Sequence, residues 1–207
     1  MILETLVVGP LEANCYLVGC DRTRRGFIVD PGAEAQRILE AVERLELKVE
    51  YLFNTHGHVD HIAANAALQE ATGAPIAVHE ADGDLLEHPH PFWASLVGGI
   101  RPSSPDVLMA DGDSFQVGDL TVRVMHTPGH SPGGVCLLVE DAIFTGDTLF
   151  ASSIGRTDLP GGSMETLQES LRRLREEVPP ETPVLPGHRG PSTMAHEIRA
   201  NPYIQQL

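Results

Sequence analysis

The 207-residue chain carries 14 Lys and Arg against 29 Asp and Glu, a formal charge of −15 at pH 7. So acidic a chain has no electrostatic footprint for gripping nucleic-acid phosphates, and no run of about 18 apolar residues marks a membrane span. Apolar residues at 42% and charged ones at 21% describe a globular chain, long enough for one core-bearing domain over 1–207.

The opening MILETLVVGPLEAN has no basic segment ahead of its apolar stretch and holds Glu4 within it. It reads as a first strand over 2–8, not as a signal peptide. Strands follow at 15–20 (CYLVGC) and 26–30 (GFIVD). Ala35, Ile38, Leu39, Val42 and Leu45 recur at the spacing of one helix face, which predicts an amphipathic helix over 34–46. VEYLFN at 49–54 is the next strand. A helix over about 60–72 is expected behind it, closed by Gly73 as C-cap, and PIAVH at 75–79 is a further strand. Residues 80–106 are expected to form one long irregular connection, a common form for a functional lid.

The second half has strands near 114–117, 120–126, 134–139 and 142–146. A helix over 164–178, with apolar Met164, Leu167, Leu171, Leu174 and Val178, is expected to start at Ser163 as N-cap. The buried strand PVLPG at 183–187 and a helix over 193–200 come last. Cys15 and Cys20 lie five apart, on opposite faces of one strand. With Cys136 they form no CxxC pair, so buried thiols in a reducing cytoplasm are expected.

Metal-ligand side chains punctuate the strand ends. GFIV is followed by Asp30, VEYLFNT by His56, LTVRVMHTPG by His130, AIFTG by Asp147 and PVLPG by His188. Loops at the carboxyl ends of strands are where distant parts of a chain converge. Taken singly, each residue reads as a satisfied histidine or a turn aspartate. The cluster His56, His58, Asp60 and His61 reads differently, because ordinary core hydrogen bonds cannot satisfy four such groups in six positions. His56 and His58 alternate by two, so both can face one ion. Asp60 and His61 stand at a helix start, turned towards a neighbouring position, where the dipole favours the carboxylate and a neutral imidazole. Nitrogen and oxygen donors without thiolate suit two divalent ions, Zn²⁺ first, with Fe or Mn also compatible.

THGHVDH at 55–61, with TPGH (127–130), GD (146–147) and PGH (186–188) downstream, resembles the metallo-β-lactamase fold superfamily. That resemblance implies an α/β (α+β) class fold, a four-layer αββα sandwich. GDTLFASSIGRTDLPGGSMETLQESL and PGHRGPSTMAHEIRANPYI are similar to the glyoxalase II-like hydrolases, in particular their short bacterial forms. The resemblance implies His56, His58 and His130 at a first metal and Asp60, His61 and His188 at a second. It puts Asp147 between the two metals, and Asp30 behind a ligand as an orienting group; on its own, Asp30 reads equally well as a turn residue. Full-length glyoxalase II enzymes carry a C-terminal helical region that grips glutathione, and none is expected here. Arg156 in SIGRTD is then the best-placed cation for a substrate carboxylate, although a loop arginine serves structure as readily.

The expected reaction is hydrolysis of a small-molecule thioester, of the S-2-hydroxyacylglutathione type, by water activated between the two metals. Asp60 and Asp147 are the expected catalytic carboxylates, Asp60 as acceptor of the water proton. A thiolate leaving group, of parent pKa about 8.5, needs no dedicated acid. A rival is a mononuclear iron persulfide dioxygenase using His56, His58, His130 and Asp147. More remote are a lactonase or esterase and an RNA-processing nuclease. No nucleic-acid or membrane partner is expected. Phe92 and Trp93 either pack their loop down or wall a pocket, and His79, His88, His90, His126 and His196 read as structural or surface residues.

Overall fold

Two six-stranded sheets face one another in the computed structural model, which describes residues 1–207. The first holds β1 (Ile2–Val8), β2 (Ala13–Gly19), β3 (Arg25–Val29), β4 (Lys48–Phe53), β5 (Ile76–His79) and β6 (Val107–Met109), in that spatial order. Its first three strands are antiparallel neighbours, and β3 to β6 run parallel. The second is built from β7 (Ser114–Val117), β8 (Leu120–His126), β9 (Val135–Val139), β10 (Ala142–Gly146), β13 (Pro183–Pro186) and β14 (Ser192–Thr193). Its order is β14-β13-β10-β9-β8-β7, with β10 and β13 parallel. A hairpin of β11 (Leu149–Phe150) and β12 (Ser153–Ile154) stands apart from both.

Alternation of side chains sorts the core into three interfaces. Tyr16 and Val18 face the other sheet, packing with Phe53, Val122, Leu137 and Phe144. Cys15 and Leu17, alternating with them in sequence, face outward onto α1 (Ala35–Arg44), α2 (Val59–Ile62) and α3 (Asn65–Thr72) through Ile38, Ile62 and Leu68. Cys15 and Cys20 thus fall in different core layers, and all three cysteines are buried free thiols. Cys136 and Ile143 of the second sheet pack outward on Leu167, Leu171 and Leu174 of α6 (Met164–Glu177) and Met194 of α7 (Met194–Ala200). Each leucine so buried contributes about 1.5–3 kcal/mol. Helix, sheet, sheet, helix is the αββα order. No helix is long and apolar enough to cross a membrane.

Strand direction decides where the polar strand ends fall. β3, β4 and β5 are mutually parallel, so Asp30 and the loop of His56 leave the same edge of the first sheet. β8 and β10 are each antiparallel to β9, and β13 is parallel to β10, so the loops of His130, Asp147 and His188 share one edge of the second. Bonds across the gap join the two edges: Val135 N donates to Thr55 O at 2.8 Å and Asn14 N to Gly187 O at 2.7 Å.

The caps match expectation. Gly73 adopts φ +72 behind α3, a left-handed turn suited to glycine, and the Ser163 hydroxyl accepts the Thr166 N–H at the start of α6. Two expectations change. The helix expected over 60–72 is two helices, because the Asp30–Pro31–Gly32 turn presses into it. A Cβ on Gly32 would stand 1.7 Å from Asp60 O, and Ala64 N donates to Pro31 O instead of closing a helical turn. The 80–106 connection is not irregular throughout: it holds a 3-10 turn (Glu80–Asp82), α4 (Gly83–Glu87) and α5 (Pro91–Leu96). One or two turns give too few residues for a readable period. For the same reason β6, β11, β12 and β14, two or three residues each, carry no sequence signal.

Candidate metal centre

Seven side chains meet where the two edges join. His56, His58 and His130 bring one nitrogen each to within 4.8 Å of one another, and Asp60, His61 and His188 do the same with their donors. Asp147 touches both groups, 3.5 Å from His130 Nε2, 3.5 Å from His61 Nε2 and 3.7 Å from His188 Nε2. Glycine turns allow the crowding: a Cβ on Gly187 would lie 2.3 Å from Asp147 Oδ1.

The outer partners of the imidazoles dictate their tautomers. Thr55 Oγ1 donates to Asp30 Oδ2 at 2.6 Å, so towards His56 Nδ1, 3.1 Å away, it can only accept. His61 Nδ1 meets Asp30 Oδ2 at 3.1 Å, His130 Nδ1 meets Arg156 O at 2.7 Å and His188 Nδ1 meets Glu12 O at 3.2 Å. Those acceptors call for N–H on Nδ1, which turns four Nε2 lone pairs inward. His56 Nε2, His61 Nε2 and Asp147 Oδ1 are buried without any hydrogen-bond partner. An orphaned buried polar atom costs about 1–3 kcal/mol. Three of them at one site, among further nitrogen and oxygen donors, fit a bound cation. Asp30 also falls within donor range of His56 and His61, but Thr55 N–H, Thr55 O–H and His61 already occupy its oxygens.

Electrostatics divides the two pockets. Burial, reinforced by neighbouring histidines, pushes His56 well down and His58 down to about 3, so both stay neutral. Burial acts downward on His61 too, but Asp60, Asp147 and Asp30 outweigh it and raise the imidazole to about 10. Against its own burial, the Asp60 carboxyl is held below the usual carboxylate range by His61 and His188. The carboxylates around His61 demand positive charge, and a divalent ion answers that demand more fully than one proton. The donor set, five imidazoles and two carboxylates without sulfur, suits Zn²⁺, Fe or Mn.

An open cleft of about 990 Å³ leads to these donors. Leu11, Leu85, Trp93, Leu96, Phe150 and Leu159 wall it. Trp93 is therefore a wall residue, whereas Phe92 stands 58% exposed and packs edge-on against Trp93. Arg156 lines the cleft as well, with its guanidinium gripped by both oxygens of Asp158 at 2.7 Å. Arg189, unremarked in the sequence, lines the same cleft without an ion pair, and its carbonyl is held by Asn14 Nδ2 at 2.8 Å. A lone arginine in a turn carries no motif, so only its position reveals it. His79 and His126 stack on one another, ring centroids 3.9 Å apart.

A family model described as the metallo-beta-lactamase superfamily matches residues 8–188. Hydroxyacylglutathione hydrolase GloC of Haemophilus influenzae is 33% identical over 210 residues, covering 99% of this chain and 98% of that protein. BLEG-1, a B3 metallo-beta-lactamase, superposes with a TM-score of 0.90 at 33% identity over 98% of this chain and 99% of that one. TTHA1623 in a di-iron-bound form gives 0.87 at 36% identity, over 97% and 99%. ETHE1 from Myxococcus xanthus gives 0.84 at 33% identity, over 98% and 84%.

Proposed function

The chain belongs to the metallo-beta-lactamase superfamily, and on that premise we propose that it is a binuclear metal-dependent hydrolase of thioesters, with an S-2-hydroxyacylglutathione as its type substrate. The observation that carries this reading is the pair of three-donor groups sharing Asp147, with three buried donor atoms unmatched by any hydrogen bond. The full-length similarity to GloC favours the substrate, and the di-iron form of TTHA1623 favours filling both pockets. Three buried free thiols accord with a cytoplasmic setting.

His56, His58 and His130 would hold one ion, Asp60, His61 and His188 the other, and Asp147 would touch both. The chemistry such ions supply is Lewis acidity, which brings the pKa of a water towards about 7 and polarises a carbonyl oxygen. Asp60, ionised and with Oδ2 3.2 Å from His188 Nε2, would be the carboxylate that accepts a proton from the reacting water. Asp30 fixes the His61 ring, and the Arg156 and Glu12 carbonyls fix His130 and His188. The departing thiolate is stable enough near neutral pH to leave without a proton donor.

The test is turnover. Zinc-loaded protein is expected to hydrolyse S-D-lactoylglutathione, to lose that activity on chelation and to regain it when metal returns; inert, fully loaded protein would sink the substrate assignment. A second reading, a persulfide dioxygenase with one iron on His56, His58, His130 and Asp147, is favoured by the similarity to ETHE1. Elemental analysis of protein purified from cells separates them: one iron with oxygen consumption supports the dioxygenase, two metals without it the hydrolase.

Substrate charge is read at the rim, where we assign both cleft arginines to the anionic end of the substrate. Arg156 already shares its guanidinium with Asp158, and Arg189 has no such partner. Arg189→Ala is therefore expected to raise KM for an anionic thioester roughly tenfold, in line with about 1.5 kcal/mol for a charge-assisted hydrogen bond. Arg156→Ala should raise it less. Steady-state kinetics with both variants checks the order, and the reverse order would return the main role to Arg156.

A further inference from the structure

Asp82 ends the 3-10 turn behind β5 and is fully buried. Its Oδ2 accepts the Gly57 N–H at 2.9 Å and the Ser131 hydroxyl at 2.7 Å, and its Oδ1 accepts the Gly133 N–H at 2.6 Å. Gly57 lies between His56 and His58, and Ser131 follows His130. One carboxylate thus ties together the two loops, one from each sheet, that supply all three donors of the first pocket. Each loop also presents a glycine N–H to it. A Cβ on Gly57 would stand 2.7 Å from Leu85 Cβ and 3.0 Å from Asp82 O, and one on Gly133 would stand 2.6 Å from Asp82 Cγ.

Asp82 has no cationic partner within ion-pair distance; two N–H groups and a hydroxyl meet its charge. A buried carboxylate costs several kcal/mol of desolvation, and an aliphatic side chain would fill the space without that cost. What only the carboxylate supplies is acceptor capacity for three donors at once. The second pocket is braced by other groups: Asp30 on His61 and the Glu12 carbonyl on His188.

We propose that Asp82 is a positioning residue that sets the spacing of His56 and His58 to His130, and thereby the metal affinity of the first pocket alone. The proposal rests on the binuclear reading given above. Loss of a group that orients metal ligands costs about 10–100-fold in affinity. Asp82→Asn is the sharp probe, because its shape is unchanged while its amide offers a single acceptor oxygen. Whichever way the amide turns, one backbone N–H, of Gly57 or of Gly133, faces an NH₂ group.

Zinc affinity of the full chain is measured by chelator competition, and the imidazole ¹⁵N spectrum is recorded on the metal-free protein. Asp82→Asn is expected to weaken one zinc equivalent by about 10–100-fold and leave the other as in the parent. In the metal-free protein the ring resonances of His58 and His130 should move while those of His61 and His188 stay. Unchanged affinity at both equivalents, or equal weakening of both, overturns the proposal. A parent protein that binds a single metal overturns the binuclear reading instead. The metal-free spectra then decide the role of Asp82, which selective shifts uphold and unselective ones defeat. Should Asp82→Asn fail to fold, Ser131→Ala removes one donor and keeps the carboxylate. The same equivalent should then weaken by a few-fold, and no change would overturn the proposal.

Discussion

Replacing Asp147 by Ala is expected to lower kcat/KM on the thioester by about three orders of magnitude or more and to reduce bound metal from two equivalents to one or none. Asp147 alone reaches both donor groups, with Oδ1 3.5 Å from His61 Nε2 and Oδ2 3.5 and 3.7 Å from His130 and His188. Its Oδ1 is also one of the three orphaned buried atoms. Lewis-acid stabilisation is worth several kcal/mol, and each 1.36 kcal/mol is a factor of ten in rate. Disturbing both pockets at once therefore costs roughly 10³-fold at least. Alanine also leaves His61, now short of one of its three neighbouring carboxylates, as a poorer site for any positive charge. Elemental analysis beside steady-state kinetics checks both parts. Two retained equivalents with turnover within tenfold of the parent would remove Asp147 from its shared position.

Asp30→Asn should damage stability and metal binding together. Asp30 is buried, and its carboxylate accepts the Thr55 N–H at 2.7 Å, the Thr55 hydroxyl at 2.6 Å and His61 Nδ1 at 3.1 Å. Its backbone has φ +51, which asparagine tolerates well, so backbone strain does not confuse the result. With the amide NH₂ towards His61, the imidazole must accept on Nδ1, and its proton moves to Nε2, where the lone pair is needed. With the amide reversed, the Thr55 N–H loses its acceptor. Either orientation leaves a buried donor unmet, at about 1–3 kcal/mol. A melting midpoint lower by roughly 2–12 °C is expected for the metal-free protein, at about 2–4 °C per kcal/mol. Metal affinity at the His61 pocket should fall about 10–100-fold. Calorimetry and chelator competition measure the two effects. A variant that melts like the parent and binds metal as tightly would show that Asp30 is only a turn residue.

Much of the site could be read from the chain because its ligands are local or sit behind strong punctuation. His56, His58, Asp60 and His61 fall within six residues, and TPGH, TGD and PGH put His130, Asp147 and His188 directly behind apolar strands. Period-3.6 spacing marks helices such as Met164–Glu177, whereas the αββα layering is implied only by the family resemblance. Arg156 was singled out for its side chain, yet its backbone carbonyl makes the contact to His130 and its guanidinium is occupied by Asp158. Backbone hydrogen bonds of this kind leave no trace in residue type.

By itself the sequence determined which side chains could act as ligands and that they lie at strand ends, since both follow from residue chemistry and from periods a few residues long. The tertiary structure alone decided that strand direction brings five such ends to one place. It also decided that the Asp30–Pro31–Gly32 turn splits the helix after His61. It alone placed Asp82 between two loops 25 and 51 residues away in the chain, further than any local pattern spans: Gly57 on one side, Gly133 on the other. A buried carboxylate in EADGD looks like any surface aspartate until the donors around it are known, because its role resides in contacts between distant segments and not in its own neighbourhood.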